Sequence, residues 1–150
     1  MESKIYFDNI RSEILKELSL AKFHIFVCVA WVTDPILWKE LCEKAKNRVQ
    51  VQIAMVDDEV NRKSSCSTSN LIKSGGEIYL LEHHHKFCVI DLKTTITGSY
   101  NWTYKASTRG KGESIEIKRN AYEVSEHYAD IFKELINDSR SESALTEIYG

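Results

Sequence analysis

The run from Phe23 to Val32 limits most strongly what this chain can fold into. It is about ten residues long and nearly all apolar, with His24 as an interruption. Such a run is typical of a strand that is covered on both faces in the middle of a sheet, whereas a membrane span needs roughly twenty apolar residues. We therefore expect a buried central strand and no transmembrane helix.

The segments on either side of this strand carry helix and strand signals. Asp34 followed by Pro35 is a typical helix start, and residues 49–56 alternate and then become apolar. Strand, helix and strand in this order predict a parallel pair with a right-handed crossover. Ahead of the first strand, the apolar spacing predicts a helix over about residues 9–21 with Asp8 as its cap.

The second half of the sequence predicts shorter strands and one last helix. Residues 57–68 have no clear period and predict a loop before a short helix that stops at Gly75. The last helix starts at Asn120, and residues 139–150 lack an apolar period and are expected to form a frayed tail. Residues 1–150 therefore predict a single α/β domain with a mixed, mostly parallel sheet flanked by helices. The strands of this half are predicted at 77–81, 87–91, 95–99 and 113–118, with a tight turn at 92–94.

The formal net charge of -2 is unevenly distributed. Residues 1–120 carry 18 basic and 15 acidic side chains, a balance of +3, and residues 121–150 carry 2 basic and 7 acidic ones, a balance of -5. Lys105, Arg109 and Lys111 form a small basic patch without an acidic neighbour. This patch predicts either a contact with a polyanionic substrate or a solvated loop.

The four cysteines are predicted to be structural. Cys28, Cys42, Cys66 and Cys88 form no C-x-x-C pair of the kind that binds zinc or performs redox chemistry. The N-terminus also lacks the basic stretch and apolar run of an export signal. We therefore expect reduced, structural thiols in a cytoplasmic protein.

The segment whose residues are best suited to catalysis begins with a histidine and a lysine two residues apart. Side chains alternate along a strand, so His84 and Lys86 would face one side, roughly 7 Å apart. His83 and His85 would face the other side. No acidic or cysteine cluster completes a metal site with these two, so no metal ligand is predicted.

A second polar segment follows the predicted turn. Ser99 and Asn101 again stand two residues apart, and Gly98 would let the backbone approach a ligand closely. Together the two segments offer an imidazole, an ammonium, a hydroxyl and an amide. Such groups suit a phosphate better than a carbonyl, because the charge to be neutralised is a full anion.

The spacing of these residues resembles a known signature. His84-x-Lys86-x4-Asp91-x6-Gly98-Ser99-x-Asn101 is similar at every fixed position to the H-x-K-x4-D-x6-G-S-x-N motif of the phospholipase D superfamily. Its neighbouring letters resemble the single-motif members, namely the small bacterial endonucleases and the mitochondrial cardiolipin hydrolase and piRNA-processing nuclease group. The resemblance covers about residues 5–137.

The resemblance implies a role for each motif residue. His84 would attack phosphorus and form a phosphohistidine, while Lys86 and Asn101 would hold the non-bridging oxygens with help from Ser99. Glu113 is the match for the carboxylate that holds the other ring nitrogen of the histidine. Asp91 would position the motif, because on a regular strand it points away from the reacting groups.

The resemblance also implies a homodimer. A complete site in this superfamily needs two motifs, because a second histidine protonates the leaving oxygen and later activates water. This sequence has one, and neither His24 nor His127 is followed by the lysine that a second copy needs. A two-fold dimer with one shared active site, and with no cofactor or metal, is the expected solution.

Three functions are compatible with these features. A nuclease is favoured, because the basic patch follows the motif and the sequence has neither an anchor nor a basic amphipathic helix for stable membrane association. A lipid phosphodiesterase acting on a substrate such as cardiolipin, and a non-catalytic nucleic-acid-binding module, are the alternatives. The sequence does not favour DNA over RNA or single over double strands.

Overall fold

The computed structural model describes residues 1–109 and 111–149, except for the side chains of Arg109 and of residues 140–149. In this part of the chain, helices cover a single seven-stranded sheet. The strands are β1 (Glu2–Tyr6), β2 (His24–Val29), β3 (Gln50–Met55), β4 (Glu77–Leu80), β5 (Lys86–Ile90), β6 (Thr94–Gly98) and β7 (Ile115–Arg119). The helices are α1 (Ile10–Ser19), α2 (Pro35–Lys46), α3 (Glu59–Arg62), α4 (Thr68–Lys73), α5 (Tyr104–Arg109) and α6 (Tyr122–Tyr149).

The sheet is mixed, with strand order β1-β7-β6-β5-β2-β3-β4. β3 pairs in parallel with both β2 and β4, whereas the pairs β2–β5, β5–β6, β6–β7 and β1–β7 are antiparallel. The predicted α/β class and mixed sheet are confirmed, but the expectation of mostly parallel pairing is wrong. Helical crossovers join β2 to β3 and β3 to β4, whereas β5, β6 and β7 follow one another by reversals at the ends of the sheet.

A tight turn of three residues, Asp91 to Lys93, joins β5 to β6, because Ile90 pairs with Thr94. Asp91 and Leu92 both have a φ of 53°, and the Lys93 N–H donates to the Ile90 carbonyl at 3.1 Å. Positive φ values at successive turn residues suit a reversal between antiparallel strands. The turn therefore starts one residue earlier than the predicted 92–94.

The core lies on both faces of the sheet. Aliphatic side chains of α1 and α2 fill one face, and α6 covers the other. Phe132 of α6 is completely buried and stacks on Phe26 of β2, with ring centroids 5.3 Å apart. Burial of such a ring stabilises the fold by about 1.5–3 kcal/mol. With both faces covered, the ends of the strands remain accessible for chemistry.

Two helix starts differ from the sequence prediction. Asn9 stands at the cap position of α1 with a φ of 51° and makes no side-chain cap bond, so the prediction of Asp8 as the cap is wrong. α5 forms inside the segment with the basic patch, for which the sequence predicted no helix. It forms there because Thr103 Oγ1 accepts a hydrogen bond from the Ala106 N–H at 3.0 Å, which satisfies one of the free donors of the first turn.

The last helix is longer than its apolar pattern indicates. α6 spans Tyr122–Tyr149 and so continues past Asp138. Gly150 and the side chains of residues 140–149 lie outside the described part, so fraying of 139–150 stays a prediction. Across residues 1–109 and 111–149, no helix is long and apolar enough to cross a membrane.

The cysteines agree with the expected structural role. All four thiols are free, and Cys28, Cys66 and Cys88 are buried. Burial raises the pKa of the Cys28 thiol to about 12 and also raises the pKa values of Cys42 and Cys66. Protonated thiols are poor nucleophiles and poor metal ligands.

Candidate active site

The strand register brings the motif segments to one end of the sheet. Lys86 at the start of β5 pairs with Val29 at the end of β2, and Gly98 at the end of β6 pairs with Ile115 at the start of β7. Neighbouring strands lie about 4.8 Å apart. His84, Lys86, Ser99, Asn101 and Glu113 therefore share this end, which we call the motif end.

The residues before β5 divide between the two faces of the sheet. The rings of His83, His85 and Phe87 follow one another at centroid distances of 5.7 and 5.6 Å, and Phe87 lies 4.8 Å from Tyr128 of α6. His84 is exposed. The alternation agrees with the prediction, although β5 starts at Lys86, so that His84 precedes the regular strand.

His83 fixes the segment that carries His84. Its buried Nε2 donates to the Ala54 carbonyl of β3 at 3.0 Å, and its Nδ1 accepts from the His85 N–H at 3.1 Å. Both ring nitrogens are therefore occupied, and burial lowers the pKa of His83. His83 is a neutral structural side chain. The sequence showed only that it faces away from Lys86.

The lowered pKa of His83 leads us to expect that the folded protein loses stability in acid. Because the folded state lowers the pKa of His83, the unfolded chain binds a proton more readily, and stability falls as the pH drops below about 6.5. We expect urea midpoints of the wild type to fall more between pH 7.5 and 5.5 than those of His83→Gln, which cannot titrate. His83→Gln should itself cost about 1–2 kcal/mol at pH 7.5. Equal pH dependence of the two proteins would contradict this role.

Gly98 allows a close approach between two strands of the chain itself. A Cβ atom at this position would lie 2.2 Å from the Ser114 carbonyl oxygen, and Gly98 has a φ of 150°. The prediction that Gly98 makes room for a ligand is therefore corrected, because the start of β7 occupies that space. This contact brings the segment with Glu113 beside Ser99.

The polar side chains after β6 are held by backbone groups. Ser99 Oγ accepts from the Ser114 N–H at 3.1 Å, and Asn101 Oδ1 accepts from the Trp31 N–H at 3.3 Å. Among the described residues, the Asn101 Nδ2 group makes no hydrogen bond. The hydroxyl of Ser99 and the amide group of Asn101 thus keep donors for an anionic ligand.

Asn61 supports this arrangement, although its place in a polar segment was the one sign of it in the sequence. Its buried side chain accepts from the Val32 N–H at 3.0 Å and donates to the carbonyls of Ala30 and Val56 at 2.9 and 2.6 Å. These bonds join the ends of β2 and β3. They fix the backbone on either side of Trp31, which holds Asn101.

Asp91 lies at the opposite end of β5. Its carboxylate accepts hydrogen bonds from the N–H groups of Lys22, Phe23 and His24 at 2.9, 2.7 and 2.9 Å. It follows Lys86 by five residue positions, a distance of roughly 16 Å along an extended strand. The motif aspartate therefore joins the start of β2 to the β5–β6 turn and does not reach the motif end.

The structure shows no contact that ties Glu113 or the described side chains of the basic patch to His84. Glu113 is half-buried, and among the described residues no hydrogen bond joins it to His84. Lys105 on α5 and Lys111 after it are exposed. The side chain of Arg109 lies outside the described part. No group of three or more His, Cys, Asp or Glu side chains able to hold a metal occurs in the part of the chain that the structure describes.

The fold of the chain is similar to that of several solved proteins. Nuc, a phospholipase D family member from Salmonella typhimurium, is 23% identical with a TM-score of 0.79, over 91% of this chain and 94% of its own. NucT from Helicobacter pylori is 16% identical with a TM-score of 0.75, over 91% and 96%. TrmBL2, an archaeal chromatin protein that binds DNA, is 13% identical with a TM-score of 0.68, over 89% and 52%.

A family profile gives the assignment. The family described as "Cardiolipin synthase, PLD-like domain" matches residues 14–136, which is most of the chain. No curated protein sequence matches significantly. The chain belongs to the phospholipase D-like family, and it is an enzyme of the phosphodiesterase class of that superfamily.

Proposed function

We propose that the protein is a metal-independent endonuclease that cleaves DNA or RNA through a phosphohistidine on His84, at a site shared by two subunits. The observation that carries the proposal is that the strand register brings the motif residues other than Asp91 to one end of the sheet, where the imidazole of His84 is exposed and, among the described residues, the Lys86 ammonium and the Asn101 Nδ2 make no hydrogen bond. An anionic phosphodiester matches these donors. We expect it to act in the cytoplasm, in keeping with its free thiols.

The first step forms the covalent intermediate. A ring nitrogen of His84 attacks phosphorus, a P–N bond forms, and the P–O bond to the leaving nucleoside breaks. Lys86 and the Asn101 amide hold the non-bridging oxygens, with Ser99 assisting, and so stabilise the charge that develops there. His84 of the second subunit supplies the proton to the leaving oxygen.

The second step releases the product. The same second histidine removes a proton from water, the water oxygen attacks phosphorus, and the P–N bond breaks. Glu113 orients the imidazole of His84 and stabilises its charged form, by a contact that tightens when substrate binds. Lys105, Arg109 and Lys111 attract the remaining polyanion.

Cleavage of labelled DNA and RNA, single- and double-stranded, at low salt with excess EDTA tests this function. We expect cleavage that EDTA does not inhibit and that identifies the preferred polymer. A cardiolipin vesicle belongs in the same panel, because the matching family is described by a lipid enzyme. Hydrolysis of the lipid alone would replace the nuclease by the lipid phosphodiesterase. Binding without hydrolysis of any substrate would favour the non-catalytic module.

A further inference from the structure

A groove of about 630 Å³ lies beside the motif end, between the first turn of α1 and α5. β1 ends at Tyr6, which pairs with Ile115 at the motif end, so α1 starts at that same end. Tyr100 lines the groove and stands between Ser99 and Asn101 in the chain. The groove therefore lies at the same end of the sheet as the residues assigned to the reacting phosphate, although none of those residues lines it.

The first turn of α1 offers this groove uncapped donors. Asn9 is left-handed, with a φ of 51°, and its side chain makes no cap bond. Among the described residues, the N–H groups of Ile10, Arg11 and Ser12 have no partner. Free N–H groups and the positive end of the helix dipole favour an anion.

Tyr100 gives an independent indication of a ligand. The side chain is 3% exposed, and among the described residues its hydroxyl has no hydrogen-bond partner. Burial raises the pKa of Tyr100 to about 12, so the hydroxyl remains a donor at neutral pH. An unpartnered buried hydroxyl costs about 1–3 kcal/mol. The hydroxyl oxygen is closed off from solvent and lies near the charges of Asp34 and Arg11, so a ligand oxygen in the groove would reach it only when the Arg11 side chain, which lines the groove, moves.

The charges around the groove partly oppose each other. Lys111 is exposed and lines the groove, and Asp8 lines it with the opposite sign. The Arg11 guanidinium is already paired, because it donates to both Asp34 carboxylate oxygens at 2.7 and 3.1 Å and to Ser107. Lys111 is therefore the side chain that adds attraction for an anion.

We propose that this groove is a subsite for a second phosphate of the substrate strand, next to the one that is cleaved. This inference rests on the proposed nuclease function for the identity of the ligand. The Tyr100 hydroxyl, the N–H groups of the first turn of α1 and Lys111 would hold the phosphate oxygens.

A comparison of two substrates distinguishes effects on this subsite from effects on the catalytic site. An oligonucleotide carries neighbouring phosphates, whereas bis(p-nitrophenyl) phosphate carries only the one that is cleaved. Tyr100→Phe should raise the oligonucleotide KM roughly tenfold with kcat unchanged, and should leave both constants for the small substrate unchanged. Lys111→Gln should act in the same direction, and Asp8→Asn should lower the oligonucleotide KM.

Matched controls lie at the opposite end of the sheet. Tyr122→Phe and Lys93→Gln make the same chemical changes at exposed positions and should alter neither substrate. Tyr100→Phe removes an unpartnered hydroxyl, so its melting temperature should equal or exceed that of the wild type. An unchanged oligonucleotide KM in Tyr100→Phe, or equal effects on both substrates, would overturn the subsite.

A binding measurement keeps the subsite testable if no nucleic acid is cleaved. Titration of ¹⁵N-labelled protein with inorganic phosphate should shift the amide signals of Ile10, Arg11 and Ser12 in a saturable way, with weaker binding in Tyr100→Phe. Such shifts without any cleavage would support the phosphate site and contradict the nuclease. Shifts confined to the segment around His84, or no shifts, would overturn the subsite whatever the protein cleaves.

Discussion

Replacing His84 by alanine is expected to lower kcat for phosphodiester cleavage by about 10⁴-fold or more, the scale found when a covalent nucleophile is removed. The fold should not change, because His84 is exposed and substitutions at such positions usually alter stability by less than about 0.5 kcal/mol. The measurement is single-turnover cleavage of the preferred substrate, together with a urea unfolding curve.

A matched histidine controls for general effects of this substitution. His127 lies exposed on α6, which covers the face of the sheet opposite to α1 and α2, so His127→Ala should retain wild-type kcat. Turnover by folded His84→Ala close to that of the wild type would remove His84 as the nucleophile. A variant that fails to fold would instead contradict the structural assignment of His84 to an exposed position.

Replacing Asp91 by alanine should cause a large loss of stability with little effect on chemistry. The change removes the acceptor of three backbone hydrogen bonds, each a charge-assisted bond, and places alanine at a φ of 53°, which asparagine and aspartate tolerate better. We expect a loss of about 3–4 kcal/mol in the free energy of unfolding.

Replacing Asp91 by asparagine instead separates the loss of the negative charge from the loss of the hydrogen-bond acceptor and of the left-handed preference. Asp91→Asn keeps the left-handed preference and an oxygen able to accept from Phe23 and His24, which both donate to Oδ1 in the wild type. It should lose only about 1–2 kcal/mol and keep wild-type kcat. A large fall in kcat of folded Asp91→Asn would show that Asp91 takes part in chemistry. Unchanged stability of Asp91→Ala would contradict its role in joining β2 to the turn.

The sequence predicted best where local pattern and tertiary structure agree. The apolar run gives β2, which pairs on both sides with other strands, and Asp34 caps α2 through a bond from the Ile36 N–H at 3.0 Å. The alternation around Lys86 was also predictable, because it depends on strand geometry alone. Alternation also predicted that Asp91 points away from the reacting groups, whereas the structure separates Asp91 from them by the length of β5 and places it in the turn that follows.

Other features depend on contacts between segments that are distant in sequence. Antiparallel pairing of β5, β6 and β7 is a matter of topology, which apolar patterns do not encode. Asn61, His83 and Gly98 owe their roles to partners that are distant in sequence, in other strands or loops. The uncapped start of α1 was missed because Asp8 is a common cap residue, whereas the chain starts the helix one residue later, with Asn9 in a left-handed conformation.

Mixing wild-type subunits with His84→Ala subunits most directly tests the shared site. The two chains are reassorted, and activity is measured per wild-type subunit after the mixed dimers have been verified. If each site needs His84 from both subunits, this activity falls to about half at equal amounts and to about one tenth at ninefold excess of the variant, as random two-fold pairing requires. Activity per wild-type subunit that stays constant at every ratio would contradict the shared site.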